Sequence, residues 1–240
     1  MDVDSTTLEL RKRAAASRAL DFVVSGMVLG LGTGSTSWWF VKLLSERIIK
    51  DNLEVSCVPT STSTKDHANS LKIPITSLEK VKVIDLTVDG ADEFDHNLNL
   101  IKGGGGALLQ EKIVAAASKR MVVITDVSKE SSCLGSFDLP VEIIKFGATS
   151  TVSLIGGILS KVGYRDVEVQ YRKQNGNKKF VTDEGHFIVD LKLKVIKDAE
   201  LLHKQLIGCP GVVETGLFCG FANTIIVGKE DGNCKLIGAL

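Results

Sequence analysis

Short, uninterrupted apolar runs alternate with helix-forming stretches through the first half of the chain, and this alternation restricts the fold more than any other feature. The runs are "MVLGLG" (27–32), "EVSCV" (54–58), a strand within "VKVIDLTVDGAD" (81–92) and "RMVVITD" (120–126). Helices are expected over 5–25, 35–50, near 63–71 and over 107–118. The first is capped by Ser5 or Thr6 and ended by Gly26. Strands that are apolar at nearly every position are buried on both faces. With short connections between strand and helix, this points to a parallel sheet covered by helices on both sides. Ligands of such sheets bind where loops leave the carboxyl ends of the strands. The loops after residues 31, 58, 88 and 125 are therefore the ones to search.

From about residue 134 the pattern changes. "LPVEII" (139–144) reads as a strand and 149–162 as a helix. "RDVEVQYRK" (165–173) and "KKFVTDEGHFIVDLKL" (178–193) read as antiparallel strands joined through "QNGNK", where Asn175-Gly176 is a strong turn signal. A helix over 198–207 is followed by strand regions in "GVVETGLF" (211–218) and "NTIIVGKEDGNCKLI" (223–237), the last returning to the first sheet. The expected domains are 1–133 with 220–240, and 134–219.

Composition removes several function classes. With 44% hydrophobic residues in 240, a sizeable core is available. Twenty-nine basic residues balance 29 acidic ones, which argues against a general nucleic-acid binder. The five cysteines are scattered, form no CxxC and fit no zinc spacing with the four histidines. They read as reduced thiols in a cytoplasmic setting. No secretory leader and no membrane-length apolar run is expected.

Three loops can carry chemistry. "GLGTGSTS" (30–37) follows the first strand and opens a helix, so its amides and the helix N-terminus form an anion site. A dinucleotide fingerprint would need glycine where Ser35 stands, and a Walker loop would need GK[ST]. The hydroxyls of Thr33, Ser35 and Thr36 suit a phosphate monoester, although a capped glycine turn would read the same way. "DGADEFD" (89–95) puts Asp89 and Asp92 at a strand end, where carboxylates can accept from sugar hydroxyls or form a solvated acidic turn. In "KGGGGALLQEK" (102–112), a helix starting near Gly106 places Ala107, Glu111 and Ala115 in one row. Leu109, Ile113 and Ala116 form a neighbouring apolar stripe. A carboxylate base, the cation of Lys102 and a fan of backbone amides are what enolisation requires. The competing reading leaves Glu111 and Lys112 as surface charges.

Other features carry less. Trp38 and Trp39 suit packing, and His67, His96, His186 and His203 show no metal spacing. "LRKR" (10–13) fits a solvated helix face from which Lys12 could reach the phosphate loop.

Taken together, "GTGST" (32–36), "DGADE" (89–93), "KGGGGAL" (102–108) with "EK" at 111–112, and "SK" at 128–129 resemble type A ribose-5-phosphate isomerases. The order matches too, and "LPVEI", "VTDEGHFIVD" and "PGVVETGLF" extend the likeness over nearly the whole chain. The resemblance implies interconversion of ribose 5-phosphate and ribulose 5-phosphate through a cis-enediolate, without metal or organic cofactor. It implies that Glu111 is the base and that Asp89 helps open the ring. Lys102 and the amides of Gly103, Gly104 and Gly105 would stabilise the intermediate. Asp89, Gly90, Ala91 and Asp92 would bind hydroxyls, Thr33, Gly34, Ser35 and Thr36 with Lys12 would hold the phosphate, and Lys129 would add a further contact. Relatives form dimers or tetramers, so a homo-oligomer is expected, with a sugar phosphate as its small-molecule partner and neither nucleic acid nor membrane.

The fold expected is α/β: a Rossmann-like parallel sheet with helices on both faces, plus a smaller α+β (ferredoxin-like) domain. The reading requires Glu111 and Lys102 to converge on a sugar-sized hollow beside the 33–36 turn. A non-catalytic sugar-phosphate sensor, an amino-sugar phosphate deaminase and a CoA transferase are the competing functions.

Overall fold

A computed structural model describes residues 5–174 and 176–239. The side chain of Ser5, one of the two expected caps, and Asn175 of the expected turn lie outside the described residues. The chain begins with α1 (Ser5–Ala19), a 3-10 turn at Leu20–Phe22, β1 (Val28–Leu31), α2 (Ser35–Asp51), β2 (Ser56–Pro59), α3 (Thr62–Ser70) and β3 (Leu86–Asp89). Next come β4 (Glu93–Phe94), β5 (Leu100–Ile101), α4 (Leu108–Ala116), β6 (Met121–Asp126), β7 (Leu139–Ile143) and α5 (Ala148–Lys161). Then follow β8 (Glu168–Tyr171), β9 (Lys173–Gln174), β10 (Lys178–Lys179), β11 (Phe187–Lys192) and α6 (Ala199–Ile207). The chain closes with β12 (Val212–Thr215), β13 (Leu217–Phe218), β14 (Thr224–Gly228) and β15 (Cys234–Gly238). The first helix stops at Ala19 rather than near 25: the chain tightens into the 3-10 turn and is extended by Val23.

The chain divides into two compact units. One comprises Met1–Ala91, Gln110–Glu130 and Gly220–Leu240, the other Asp92–Leu109 and Ser131–Cys219. The first holds a six-stranded sheet in the order β15-β14-β6-β3-β1-β2. Its strands run parallel except β15, which pairs antiparallel with β14 at the edge. Every residue of β3, β6 and β14 is buried, as strands covered on both faces must be.

Alternation along the strands sorts side chains between the two faces. Leu29, Leu31, Leu86 and Val88 pack with Ala15, Ala19, Phe40 and Leu44 of α1 and α2. On the opposite face, Val114 of α4 packs with Val58 and Ile84. Gly30 lets α4 lie close, since a Cβ there would fall 2.8 Å from Val114 Cγ1.

In the second unit, β7-α5-β8-β11-α6-β12 forms an antiparallel sheet in the order β12-β7-β11-β8, a split β-α-β arrangement of ferredoxin-like type. Leu139, Val141, Ile143, Val189 and Leu191 pack against Ile155, Leu159, Leu202 and Leu206 of α5 and α6. A hairpin of β9 and β10 flanks it. The expected boundaries keep 92–109 with the first sheet, whereas these residues pack in the second unit. The cause is a three-stranded sheet, β13-β5-β4, in which Leu217 and Phe218 pair with Ile101 and Leu100.

Candidate active site

In the first unit, β6, β3 and β1 are parallel neighbours. The segments 127–129, 90–91 and 32–36 therefore leave the same end of the sheet. The turn after β1 is built on Gly34, whose φ of 113° suits glycine. Gly34 is the N-cap of α2 and makes no side-chain capping bond. Gly34 and Ser35 are exposed, so the amide-bearing start of α2 is open to solvent, a geometry that suits an anion. Thr33 has a different task. Its hydroxyl joins Thr60 (2.8 Å), Ser61 (2.8 Å) and Thr64 (3.1 Å), binding the loop to the cap of α3. Nothing in the apolar periodicity of the sequence marks "TSTST" (60–64) as this buttress.

Asp89 ends β3 and is fully buried. Its Oδ1 accepts from the N–H of Gly90 (2.7 Å), the N–H of Thr33 (3.1 Å) and the hydroxyl of Ser37 (3.3 Å). Gly32 makes room for it: a Cβ there would lie 2.5 Å from Asp89 Cα.

The competing reading of α4 as a helix with surface charges is overturned. Glu111 is 4% exposed and Lys112 6% exposed. The apolar stripe of Leu109, Ile113 and Ala116 lies off the buried side: Ile113 is 48% exposed, while Leu108, Glu111, Lys112, Val114 and Ala115 are buried. α4 connects back to β6 beside β3, so it runs antiparallel to them. The Ser118 hydroxyl just beyond it meets Thr87 Oγ1 at 2.7 Å. Glu111, two turns earlier on the same side, therefore lies toward the sheet end that carries Asp89.

Lys12 donates to Glu9 Oε1 at 2.7 Å, and Glu9 also accepts from Trp39 Nε1 at 2.6 Å. These bonds, Lys12 first, hold the Glu9 carboxyl below its ordinary pKa. Lys12 thus stands beside the first turns of α2. Arg11, its neighbour in "LRKR", is buried and paired with Glu230. Lys129 lies in a 3-10 turn (Val127–Lys129) after β6, capped by Asp126 through the N–H of Ser128 (2.9 Å).

The second unit holds Lys102, the glycine run and Asp92. Lys102 is 2% exposed; its N–H donates to Gly216 O at 2.9 Å, and its ammonium lies 5.5 Å from the Phe218 ring centroid. Gly103 has φ 103°, and a Cβ there would sit 2.8 Å from Leu108 Cβ. A turn closes from Gly106 N–H to Gly103 O at 2.9 Å. Asp92 Oδ2 accepts from Gly104 N–H at 2.7 Å, and Arg172 donates to the carbonyls of Gly103 and Gly104.

The run "DGADEFD" therefore does four separate jobs. Beyond Asp89 and Asp92, Glu93 accepts from the amides of Gly135, Ser136 and Phe137, and Asp95 from those of Asn97 and Asn99. Trp39 packs on the core, while Trp38 is 43% exposed and stacks on His67. His186 bonds Glu142 and His203 bonds Thr215. Among the described residues, no group of three or more His, Cys, Asp or Glu side chains could hold a metal ion, and no helix is long and apolar enough to cross a membrane.

Comparison with known proteins places these loops in context. Residues 56–232 match the family model for Ribose 5-phosphate isomerase A (phosphoriboisomerase A). Over 236 residues the chain is 50% identical to ribose-5-phosphate isomerase A of Dinoroseobacter shibae, covering 98% of this chain and 90% of that one. The ribose 5-phosphate isomerase of Plasmodium falciparum superposes with a TM-score of 0.89 at 37% identity, over 95% of this chain and 97% of that one. A D-ribose-5-phosphate isomerase solved in complex with phospho-erythronic acid gives 0.88 at 36% identity, with 100% of both chains covered.

Proposed function

The chain belongs to the ribose 5-phosphate isomerase A family, and from that premise we propose that it interconverts D-ribose 5-phosphate and D-ribulose 5-phosphate with Glu111 as the proton-transferring base. The observation that carries this is the burial of Glu111 on the sheet side of α4, toward the strand ends that bear Asp89. A carboxylate withheld from bulk water there is suited to moving a proton rather than to solubility.

The proposed course gives each group a stated task. The open N-terminus of α2, with the hydroxyls of Ser35 and Thr36 and the ammonium of Lys12, receives the 5-phosphate. Thr33 shapes that turn. Asp89 assists opening of the furanose, and Gly90, Ala91, Asp92 and Lys129 contact hydroxyls or the phosphate. Glu111 takes the C2 proton of the open aldehyde. Lys102 and the amides of Gly103 and Gly105 stabilise the cis-enediolate oxygens, with the Gly104 amide held by Asp92, and Glu111 returns the proton to C1. An oxyanion donor of this kind is worth about 3–4 kcal/mol of transition-state stabilisation. No metal or organic cofactor enters the scheme. The reading includes a homo-oligomer, dimer or tetramer, in the cytoplasm. The free state of all five cysteines supports that setting.

The test is direct. Purified protein is incubated with ribose 5-phosphate and a chelator, and ketose is followed. Sustained ketose formation is expected. Its absence, or turnover confined to an amino-sugar phosphate or a CoA ester, would overturn the assignment.

A further inference from the structure

Arg172 lies between β8 and β9, with its backbone held on both sides: its N–H donates to Ile188 O and its carbonyl accepts from Phe180 N–H, both at 2.8 Å. Its side chain is 14% exposed and its guanidinium forks in two directions. Toward Asp190, Nε and Nη2 make a two-point pair with the carboxylate, the geometry that fixes a guanidinium plane. Toward the glycine run, Nη1 reaches the carbonyls of Gly103 and Gly104, the latter at 3.1 Å.

Those two carbonyls belong to the peptides whose N–H groups are those of Gly104 and Gly105. The described residues contain no cis peptide, and in a planar trans peptide the C=O and N–H point in opposite senses. Holding both oxygens toward Arg172 turns both N–H groups away from it. One of them meets Asp92, through the 2.7 Å bond from Gly104 N–H to Oδ2. The Gly105 N–H belongs to the second peptide and is aimed by the same clamp. A cationic donor on a carbonyl also polarises its peptide, which strengthens the N–H as a donor. Four successive glycines would otherwise leave these orientations undefined.

We propose that Arg172, oriented by Asp190, is a positioning residue for the isomerisation: it sets the Gly103–Gly105 peptides so that the Gly105 N–H is presented to the developing enediolate oxygen. This rests on the proposed role of the glycine run. A polar hollow of about 230 Å³, walled in part by Arg172, Asp190, Gln170 and Lys192, adjoins the guanidinium and gives small cations access to its position.

The experiment compares wild type with Arg172→Ala, Arg172→Lys and Asp190→Asn. It reads kcat, KM and Tm, together with the Kd of phospho-erythronic acid and of inorganic phosphate. Arg172→Ala is expected to lose about 10²–10³ in kcat, as for one oxyanion donor, with KM within about threefold. Arg172→Lys should lose about tenfold, because an ammonium is a point charge that cannot fork across two carbonyls. Phospho-erythronic acid should bind more weakly in step with kcat, while inorganic phosphate should not. Ethylguanidinium should restore part of the kcat of Arg172→Ala and leave wild type unchanged. A kcat for Arg172→Ala within about threefold of wild type would overturn the proposal. So would losses of kcat, phosphate affinity and Tm together in all variants, with no response to ethylguanidinium. Arg172→Lys and Asp190→Asn carry the same decision should Arg172→Ala not fold. A wild-type protein inactive on ribose 5-phosphate would instead strike at the assigned reaction.

Discussion

The N–H of Thr33 donates to Oδ1 of Asp89 at 3.1 Å, which ties the turn after β1 to the end of β3. The same oxygen accepts from Ser37 in the first turn of α2, so one carboxylate holds both sides of the Gly34 cap. Gly32 is the residue that permits it. Gly32→Ala would place a methyl 2.5 Å from Asp89 Cα, contact that neither backbone can relieve cheaply. The variant should lose about 1–3 kcal/mol of stability by thermal or denaturant unfolding, and its KM for the sugar phosphate should rise. Unchanged stability would show that the turn moves freely of Asp89.

Glu111→Gln keeps the shape of the buried side chain and removes its basicity. We expect kcat to fall about 10²–10⁴-fold, the usual contribution of a positioned acid–base group, with KM within a few fold. Near wild-type kcat would end the assignment of Glu111 as the base.

Lys12 and Arg11 are adjacent in sequence and differ in what they hold. Lys12 pairs with Glu9 beside α2, and Arg11 is buried against Glu230. Lys12→Ala should raise KM about tenfold, corresponding to loss of one charge-assisted bond, and leave Tm nearly unchanged. Arg11→Ala should lower Tm and leave KM alone. The reverse pattern would transfer the phosphate role to Arg11.

The buried Glu142 accepts from Thr182 Oγ1 and contacts His186 Nδ1, each at 2.9 Å. Burial, the largest cause, raises its carboxyl above the ordinary 4.5, and the bonds from His186 and Thr182 oppose the rise. The folded form thus holds this proton more firmly than the unfolded chain. Its stabilising contribution is complete below pH 4.5 and is lost as pH rises through the raised value. Glu142→Gln should therefore gain Tm relative to wild type as pH goes from about 4 to about 7. A difference that is flat, or that shrinks, would show that the ionised pair with His186 outweighs desolvation.

The parallel sheet was legible because strands buried on both faces leave unbroken apolar runs, and β1, β2, β3 and β6 all lie where those runs stand. β4 and β5, two residues each, carry no periodicity, so the sheet that draws 92–109 into the second unit left no local trace. The row of Glu111 and Ala115 along α4 is buried as the spacing allows, but apolarity alone does not find it. Apolarity pointed to Ile113, but the buried side carries Glu111 and Lys112, and sequence patterns invert where polar groups are buried for use. The glycine run was visible, but its clamp was not: Arg172 lies 69 residues from Gly103, in a strand region whose alternation says nothing of where a guanidinium ends.

Within "GGGG", a side chain at Gly103 would meet Leu108 and Pro140, one at Gly104 would meet Asp92, and one at Gly106 would strike the ring of Phe180. These obstacles are independent of one another. Mutational drift cannot open the segment by relaxing a single neighbour, and a compensating change at one site leaves the others closed. What looks like the least informative stretch of the chain is thereby among its least negotiable, and directed evolution of this scaffold would gain more by varying the side chains that press on Gly103, Gly104 and Gly106 than by varying those glycines themselves.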